Sequence, residues 1–255
     1  RITASAAGTI ESFEISADGG WRGAAASARA EVLPFAPAPL RRLRLDASGI
    51  DPARIHAGLP RAAVSLHAEL EPIAGASGDS ARDGFELAGS AELLNRSPGP
   101  LDRGALPLAR VRTSLRWAGA RVDLEDVFLE IPGSGLATGR AGWDGRNGSA
   151  ELAIRGLDLA RMHARFKPTR LSGKARAEFG EAGEAMTAEF ADPRFELAFD
   201  ARRVEDRLRV QRARLSARGA ELSIEGTLGL KEPNAFDLAG RLKRFDPSAF
   251  LEMPA

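Results

Sequence analysis

The stretch Arg207–Leu251, RLRVQRARLSARGAELSIEGTLGLKEPNAFDLAGRLKRFDPSAFL, decides how the whole chain is read. Taken two residues at a time, Leu222, Ile224, Gly226, Leu228 and Leu230 fall on one side, with Glu221, Ser223, Glu225, Thr227 and Gly229 on the other. After a turn sequence, Lys231-Glu232-Pro233-Asn234, the residues Phe236, Leu238, Gly240 and Leu242 alternate with Asp237, Ala239, Arg241 and Lys243. A period of two means β-strand, because successive side chains point to opposite faces of a sheet. The stretch closes on Asp246-Pro247-Ser248. An aspartate there can accept from free N–H groups, and proline at the first helical position gives up no hydrogen bond. A strand, a turn, a strand and a short helical turn are therefore expected.

The same unit recurs. Gly49-Ile50-Asp51-Pro52-Ala53-Arg54-Ile55 and Gly156-Leu157-Asp158-Leu159-Ala160-Arg161-Met162 carry the helical mark, and Asp51, Asp158 and Asp246 stand 107 and 88 residues apart. Val64-Ser65 and Ala68 follow the first mark at the distances where Leu171-Ser172 and Ala175 follow the second. Upstream, Leu124, Leu129, Gly133 and Leu136 match Val210, Leu215, Gly219 and Leu222 at a constant offset, and a slip of one residue then pairs Gly139 with Gly226. The chain reads as a degenerate all-β repeat. It divides into a partial repeat over 1–60, a second over 61–166 and a third over 167–255, with short helical turns between them.

Within this frame, Asp18-Gly19-Gly20 reads as a hairpin turn, and Pro34, Pro37 and Pro39 as an extended break. Pro72–Gly84 reads as a loop, Asn95–Asp102 as a turn cluster, and Asp144-Gly145 and Asn147-Gly148 as hairpin signals. Asp158–Phe166 is the best helix candidate.

Composition narrows the function. The 255 residues carry 36 basic and 35 acidic side chains, a net charge of +1, which gives no field to draw in nucleic acid. The basic residues are nearly all Arg; only Lys167, Lys174, Lys231 and Lys243 are lysines. There is no Cys, which removes disulfides, Cys-ligated zinc and thiol catalysis. No apolar run is long enough to span a bilayer, and the sequence reads as a piece of something longer, with any anchor or targeting signal outside it.

Chemistry-bearing motifs are few. His56 and His163 each lie five residues beyond a marking Asp, so they occupy one repeat position twice, which is poor geometry for a shared metal; His67 is the third histidine. Asp51, Asp158 and Asp246 are explained as caps rather than catalytic carboxylates. Gly133-Ser134-Gly135 is too short for a phosphate loop and has no following lysine. Asn147-Gly148-Ser149 matches a glycosylation sequon but reads as a turn. Arg41-Arg42 and Arg202-Arg203 fit either anionic lipid heads or a solvated, edge-protecting strand face. No cofactor is implied, and the chain is not expected to be an enzyme. A β-helical enzyme on polysaccharide needs clustered acidic or aromatic residues, and there are only three Trp and no Tyr.

What remains is the apolar face. Repeats of this length, with several strands each, form a broad curved sheet, and its trough would be lined by Leu115, Trp117, Phe195, Leu197, Phe199, Leu222, Ile224, Leu228, Leu230, Phe236, Leu238 and Leu242. Periodicity alone leaves open whether that trough is filled by protein or stays free.

Four phrases carry a resemblance. They are Pro34–Leu45 (PFAPAPLRRLRL) leading to Ile50-Asp51-Pro52-Ala53, Asn95–Leu108 (NRSPGPLDRGALPL), Leu171-Ser172-Gly173, and Leu215–Gly226. As an ordered series they resemble the translocation and assembly module (TamB) family of Gram-negative bacteria, within the wider AsmA-like proteins, and the likeness runs from about Gly20 to Phe250. It implies a solenoid-like β-groove, or β-taco, in the periplasm, held to the inner membrane by a segment outside this chain. It also implies carriage of phospholipid between inner and outer membrane, with a link to outer-membrane protein assembly through a BamA-like barrel partner. The region of that partner contact has no match here. The resemblance implies no catalytic residues. The competing expectation is a scaffold whose sheet edges receive client strands by β-augmentation.

Overall fold

A computed structural model of the chain describes residues 2–36, 39–56, 58–73, 86–231 and 235–249. The chain is all-β, with sixteen strands among these residues and only four-residue α-helices and three-residue 3-10 turns besides. It divides into two compact units, 1–132 and 133–255.

The first unit contains β1 (Ile2–Gly8), β2 (Phe13–Trp21), β3 (Ala24–Val32), β4 (Leu40–Ile50), β5 (Val64–Pro72), β6 (Glu86–Asn95), β7 (Arg110–Ala118) and β8 (Arg121–Ile131). Helix α1 (Pro52–Ile55) lies between β4 and β5, and a 3-10 turn (Leu101–Arg103) between β6 and β7. The second contains β9 (Ser134–Trp143), β10 (Gly148–Leu157), helix α2 (Leu159–Met162), β11 (Leu171–Gly180), β12 (Gly183–Asp192), β13 (Phe195–Val204), β14 (Arg207–Ala217), β15 (Ala220–Gly229), β16 (Phe236–Lys243) and a 3-10 turn (Pro247–Ala249). Within each unit every strand pairs antiparallel with the one before it, an unbroken meander.

The helical marks repeat in atomic detail. The Asp51 carboxylate accepts from Ala53 N (3.2 Å) and from Ala62 N (3.2 Å), just before β5. Asp158 does the same with Ala160 N (3.1 Å) and Thr169 N (3.0 Å), just before β11. Asp246 accepts from Ser248 N at 2.9 Å. Each cap thus satisfies donors of the helical turn, and in two of the three it also clamps the start of the next strand. Two residues ahead of each Asp the backbone is left-handed, at Gly49 (φ 66°), Gly156 (φ 70°) and Arg244 (φ 48°). At the two glycines the ladder register shifts, and Ile50 and Leu157 then pair with Val64 and Leu171 as the last residues of their strands. The histidines follow suit. His56 Nδ1 accepts from Gly58 N and His163 Nδ1 from Arg165 N, both at 3.1 Å.

Counted this way, the structural repeat is six strands and a helical turn: β5 to β10 with α2, then β11 to β16 with the 3-10 turn at Pro247. The longer spacing between the first two marks comes from a longer β5–β6 connection and from the β6–β7 segment carrying the Leu101–Arg103 turn. That segment is built in. Buried Asn95 donates to the Leu106 and Leu108 carbonyls (3.2 and 2.9 Å), and its carbonyl oxygen accepts from Ala63 N and Ser97 N.

Two local expectations are corrected. Asp18-Gly19-Gly20 is inside β2, where Asp18 faces Ser27 and Gly19 faces Ala26. The turn falls at Arg22 (φ 51°) and Gly23 (φ 88°), which gives the nine-residue β2 a partner along its full length. The helix after Asp158 covers only Leu159–Met162; His163 is already extended at φ −161°. Most of Pro72–Gly84 and the turn residues 232–234 lie outside the described residues.

The strands pack on their ladder neighbours, and the surface area reflects a single layer. The chain presents 16985 Å². A compact protein of its mass presents about 10,900 Å², and two separate compact units of half that mass about 13,000 Å². On the described strands large apolar side chains stand open, Met186, Leu238 and Phe236 among them.

Candidate functional site

Residues directly opposite in an antiparallel ladder share a face, so the register sorts every strand. In the second unit one face is apolar from β9 to β16. Its middle row runs Ala141, Ala150, Ala177, Met186, Ala201, Val210, Gly226, Leu238. The next runs from Gly139 and Leu152 through Ala175, Ala188 and Phe199 to Ala213, Ile224 and Gly240. The irregular register between Val210 and Ala213 keeps β14 in phase: without the extra residue its outer half would turn its apolar side chains to the wrong face.

The opposite face is charged and paired. Arg140 meets Glu151 at 2.7 Å, Arg176 meets Glu151 at 3.4 Å and Glu178 at 2.9 Å, and Arg214 meets Glu221. Glu151 is held below the usual carboxylate range, first by its hydrogen bonds and charge interaction with Arg140. In the first unit Arg42 meets Glu71 at 2.9 Å, Arg41 meets Glu31 at 3.1 Å, and His67 meets Asp46 at 2.7 Å on the same kind of face. Arg41-Arg42 is therefore a solvated, ion-paired strand start. Among the described residues no group of His, Cys, Asp or Glu is arranged to hold a metal ion.

Glycines bend the sheet toward its apolar side. A Cβ on Gly139 would overlap the Glu151 carbonyl oxygen of β10, and one on Gly226 the Asp237 oxygen of β16. Both glycines sit mid-strand on the apolar face, at equivalent repeat positions, and Gly173 and Gly89 show the same crowding. Backbones approach on the inside of a bend, so the apolar face is locally the concave one.

Most of the sequence-derived lining set lands here. Leu222 faces Leu215 and Leu242, Ile224 faces Ala213, Leu228 faces Leu208 and Phe236, and Leu238 faces Gly226. Leu197 sits between Phe190 and Leu215, and Phe199 between Ala188 and Ala213. Leu115 and Trp117 occupy the corresponding face of the first unit, against Gly89 and Leu124, and Leu87 and Val122. The set is graded in exposure. Phe236 is 73% exposed, whereas Phe195 is only 7% exposed at the strand end marked by the helical turn. Leu230 lies just past β15, exposed, with its N–H on the Asp206 carbonyl.

The two strand ends differ. At the end of the helical turns, Leu157, Leu171 and Phe195 are buried beside Asp192, whose carboxylate accepts from Arg170 N (2.7 Å), Arg194 N (3.0 Å) and Arg194 Nε (2.9 Å). Burial pushes the Asp192 carboxyl up, but these hydrogen bonds and the Arg194 charge outweigh it and hold the group below its ordinary range. Lys167 Nζ reaches the Ser248 carbonyl (2.6 Å), strapping the second helical mark to the third. At the other end Trp143 and Phe179 stack openly, centroids 5.7 Å apart and planes at 12°, over Gly148. Sequence reasoning passed over Trp143 and Phe179, although both end clean alternating runs. Comparison with protein-family models, curated proteins and solved structures gave no match.

Proposed function

We propose that the concave apolar face binds phospholipid acyl chains, and that this chain is a segment of a periplasmic bridge that carries phospholipid between inner and outer membrane. The observation that carries this reading is an apolar face that runs through eight consecutive strands, is bent inward by glycines and is left uncovered. A buried CH₂ contributes about 0.8 kcal/mol, so an acyl chain gains several kcal/mol on such a surface over water. Movement along the face exchanges one apolar contact for another and needs no energy source at the face itself. The likeness of the Pro34–Leu45 and Asn95–Leu108 phrases to the TamB family is what points to the periplasm, to an inner-membrane anchor outside this chain and to a BamA-like partner. The test is extraction of a fluorescent phospholipid from vesicles by the purified chain. Uptake that saturates, and that Leu228→Glu abolishes, supports the reading; no uptake by the wild-type chain sinks it.

A second reading has its own observation. Strand β16 is exposed along its whole length and, among the described residues, pairs only with β15. Such an edge can receive a client strand by β-augmentation, as a scaffold for outer-membrane proteins would. Proline at Leu238 would block strand addition while sparing lipid uptake by the remaining strands.

A further inference from the structure

On the apolar side of the second unit, the ladder register places only three charged residues among those described. One is Asp192, buried and fully engaged at the helical-turn end. The other two, Glu184 and Arg203, face each other in the outermost row at the opposite end. That row reads Trp143, Gly148, Phe179, Glu184, Arg203, Leu208, Leu228, Phe236. An ion pair thus interrupts an otherwise apolar rim, with a stacked aromatic pair on one flank and aliphatic side chains on the other.

We infer that Glu184 and Arg203 form a docking point for the zwitterionic head of a phospholipid whose acyl chains lie on the apolar face; this rests on the reading proposed above. A phosphoethanolamine or phosphocholine head carries a phosphate and an ammonium group two carbons apart. The guanidinium takes the phosphate in a charge-assisted bond, and the carboxylate takes the ammonium group. Arg203 uses Nη1 on Glu184 (3.3 Å) and Nε on the Glu205 carbonyl (3.1 Å), which leaves Nη2 for a phosphate oxygen. Both side chains are open to a ligand, with Glu184 57% and Arg203 46% exposed. An ion pair this exposed contributes little to stability, so folding does not account for two charges on the apolar side. The neighbouring Trp143–Phe179 stack suits the boundary where head meets chain, because an aromatic ring tolerates both apolar and polar surroundings. Among the described residues the ladder places only Asp192 as a charged group at the opposite strand end of this side, and its carboxylate already accepts three hydrogen bonds.

The experiment titrates the wild-type chain with a lysophospholipid below its micelle concentration, bearing either an ethanolamine or a glycerol head, and reads binding by calorimetry. Because the anionic glycerol head lacks the ammonium group, the ethanolamine head is expected to bind about tenfold tighter. Glu184→Gln brings that ratio to about one while the glycerol head keeps its affinity, and Arg203→Gln weakens both. Equal affinity for the two heads in the wild-type chain overturns the head site, as does a preference that survives Glu184→Gln. If the two heads bind equally and Leu228→Glu still abolishes binding, the apolar-face reading stands without it. If neither binds, both fall.

Discussion

Leu228→Glu separates an open face from a packed core. Leu228 lies between Leu208 and Phe236 in the outermost row and is half-buried by them. Fully burying a leucine is worth about 1.5–3 kcal/mol, so half-burial on an uncovered face contributes roughly 1 kcal/mol. A glutamate there keeps most of its water and needs no shift of its ionisation. The lipid-free variant should therefore lose about 1 kcal/mol, a fall in Tm of roughly 2–4 °C for a chain of this size. Loading is another matter. Acyl chains over the same position would strip water from the carboxylate, and desolvating an unpaired charge costs several kcal/mol, or more than 100-fold in affinity. Denaturation curves and phospholipid content measured on one preparation read both effects. A loss above about 4 kcal/mol would mean that Leu228 sits in a closed core, and undiminished lipid in a normally stable variant would mean that lipid does not contact this face; either refutes the reasoning.

Asp158→Ala removes the acceptor for Ala160 N and Thr169 N together and should cost about 1–3 kcal/mol in urea denaturation, with Asp51→Ala costing a similar amount. Gly139→Val forces a side chain into the β10 backbone and should destabilise by about 2–4 kcal/mol, more than the same change at exposed Gly20 of β2, where a Cβ would meet only the Ala24 carbonyl oxygen at 3.5 Å. Asp192 has a lowered folded pKa, so its stabilisation is full at neutral pH and disappears as the pH falls through that value. Asp192→Asn should lower stability at pH 7 and flatten the acid limb of the stability–pH curve; an acid limb of unchanged slope would contradict this.

The fold was legible because its signals are local. Alternation in Leu222–Leu230 and Phe236–Leu242 marks strands whatever surrounds them, and Asp followed by Pro or Leu marks the helical turns. The Gly49-Ile50-Asp51 and Gly156-Leu157-Asp158 phrases even contain the left-handed glycine at which the register shifts just before each strand ends. Register was not legible. The turn after β2 falls at Arg22 and Gly23 because ladder length outweighs the turn preference of Asp18-Gly19-Gly20. Of the candidate site, Leu197, Phe199 and the β15–β16 leucines stand out because large residues alternate cleanly there. The β9–β12 part was hidden because its inward positions are mostly Ala and Gly, which close neighbouring backbones require and which carry little hydrophobic signal. Arg203 stood out within Arg202-Arg203 as a possible contact for a lipid head, but Glu184 and its place opposite Arg203 were illegible for a further reason: only the pairing of β12 with β13 brings the two together on the apolar side.

The most direct test of the central claim is the lipid content of the purified chain. After expression in bacteria and purification without detergent, solvent extraction and mass spectrometry should find co-purified phospholipid, lost when Leu228 and Leu230 become Glu. A stable, folded, lipid-free chain that also takes up no phospholipid when it is offered would contradict the account, and would leave the exposed edge of β16 as the surface to pursue.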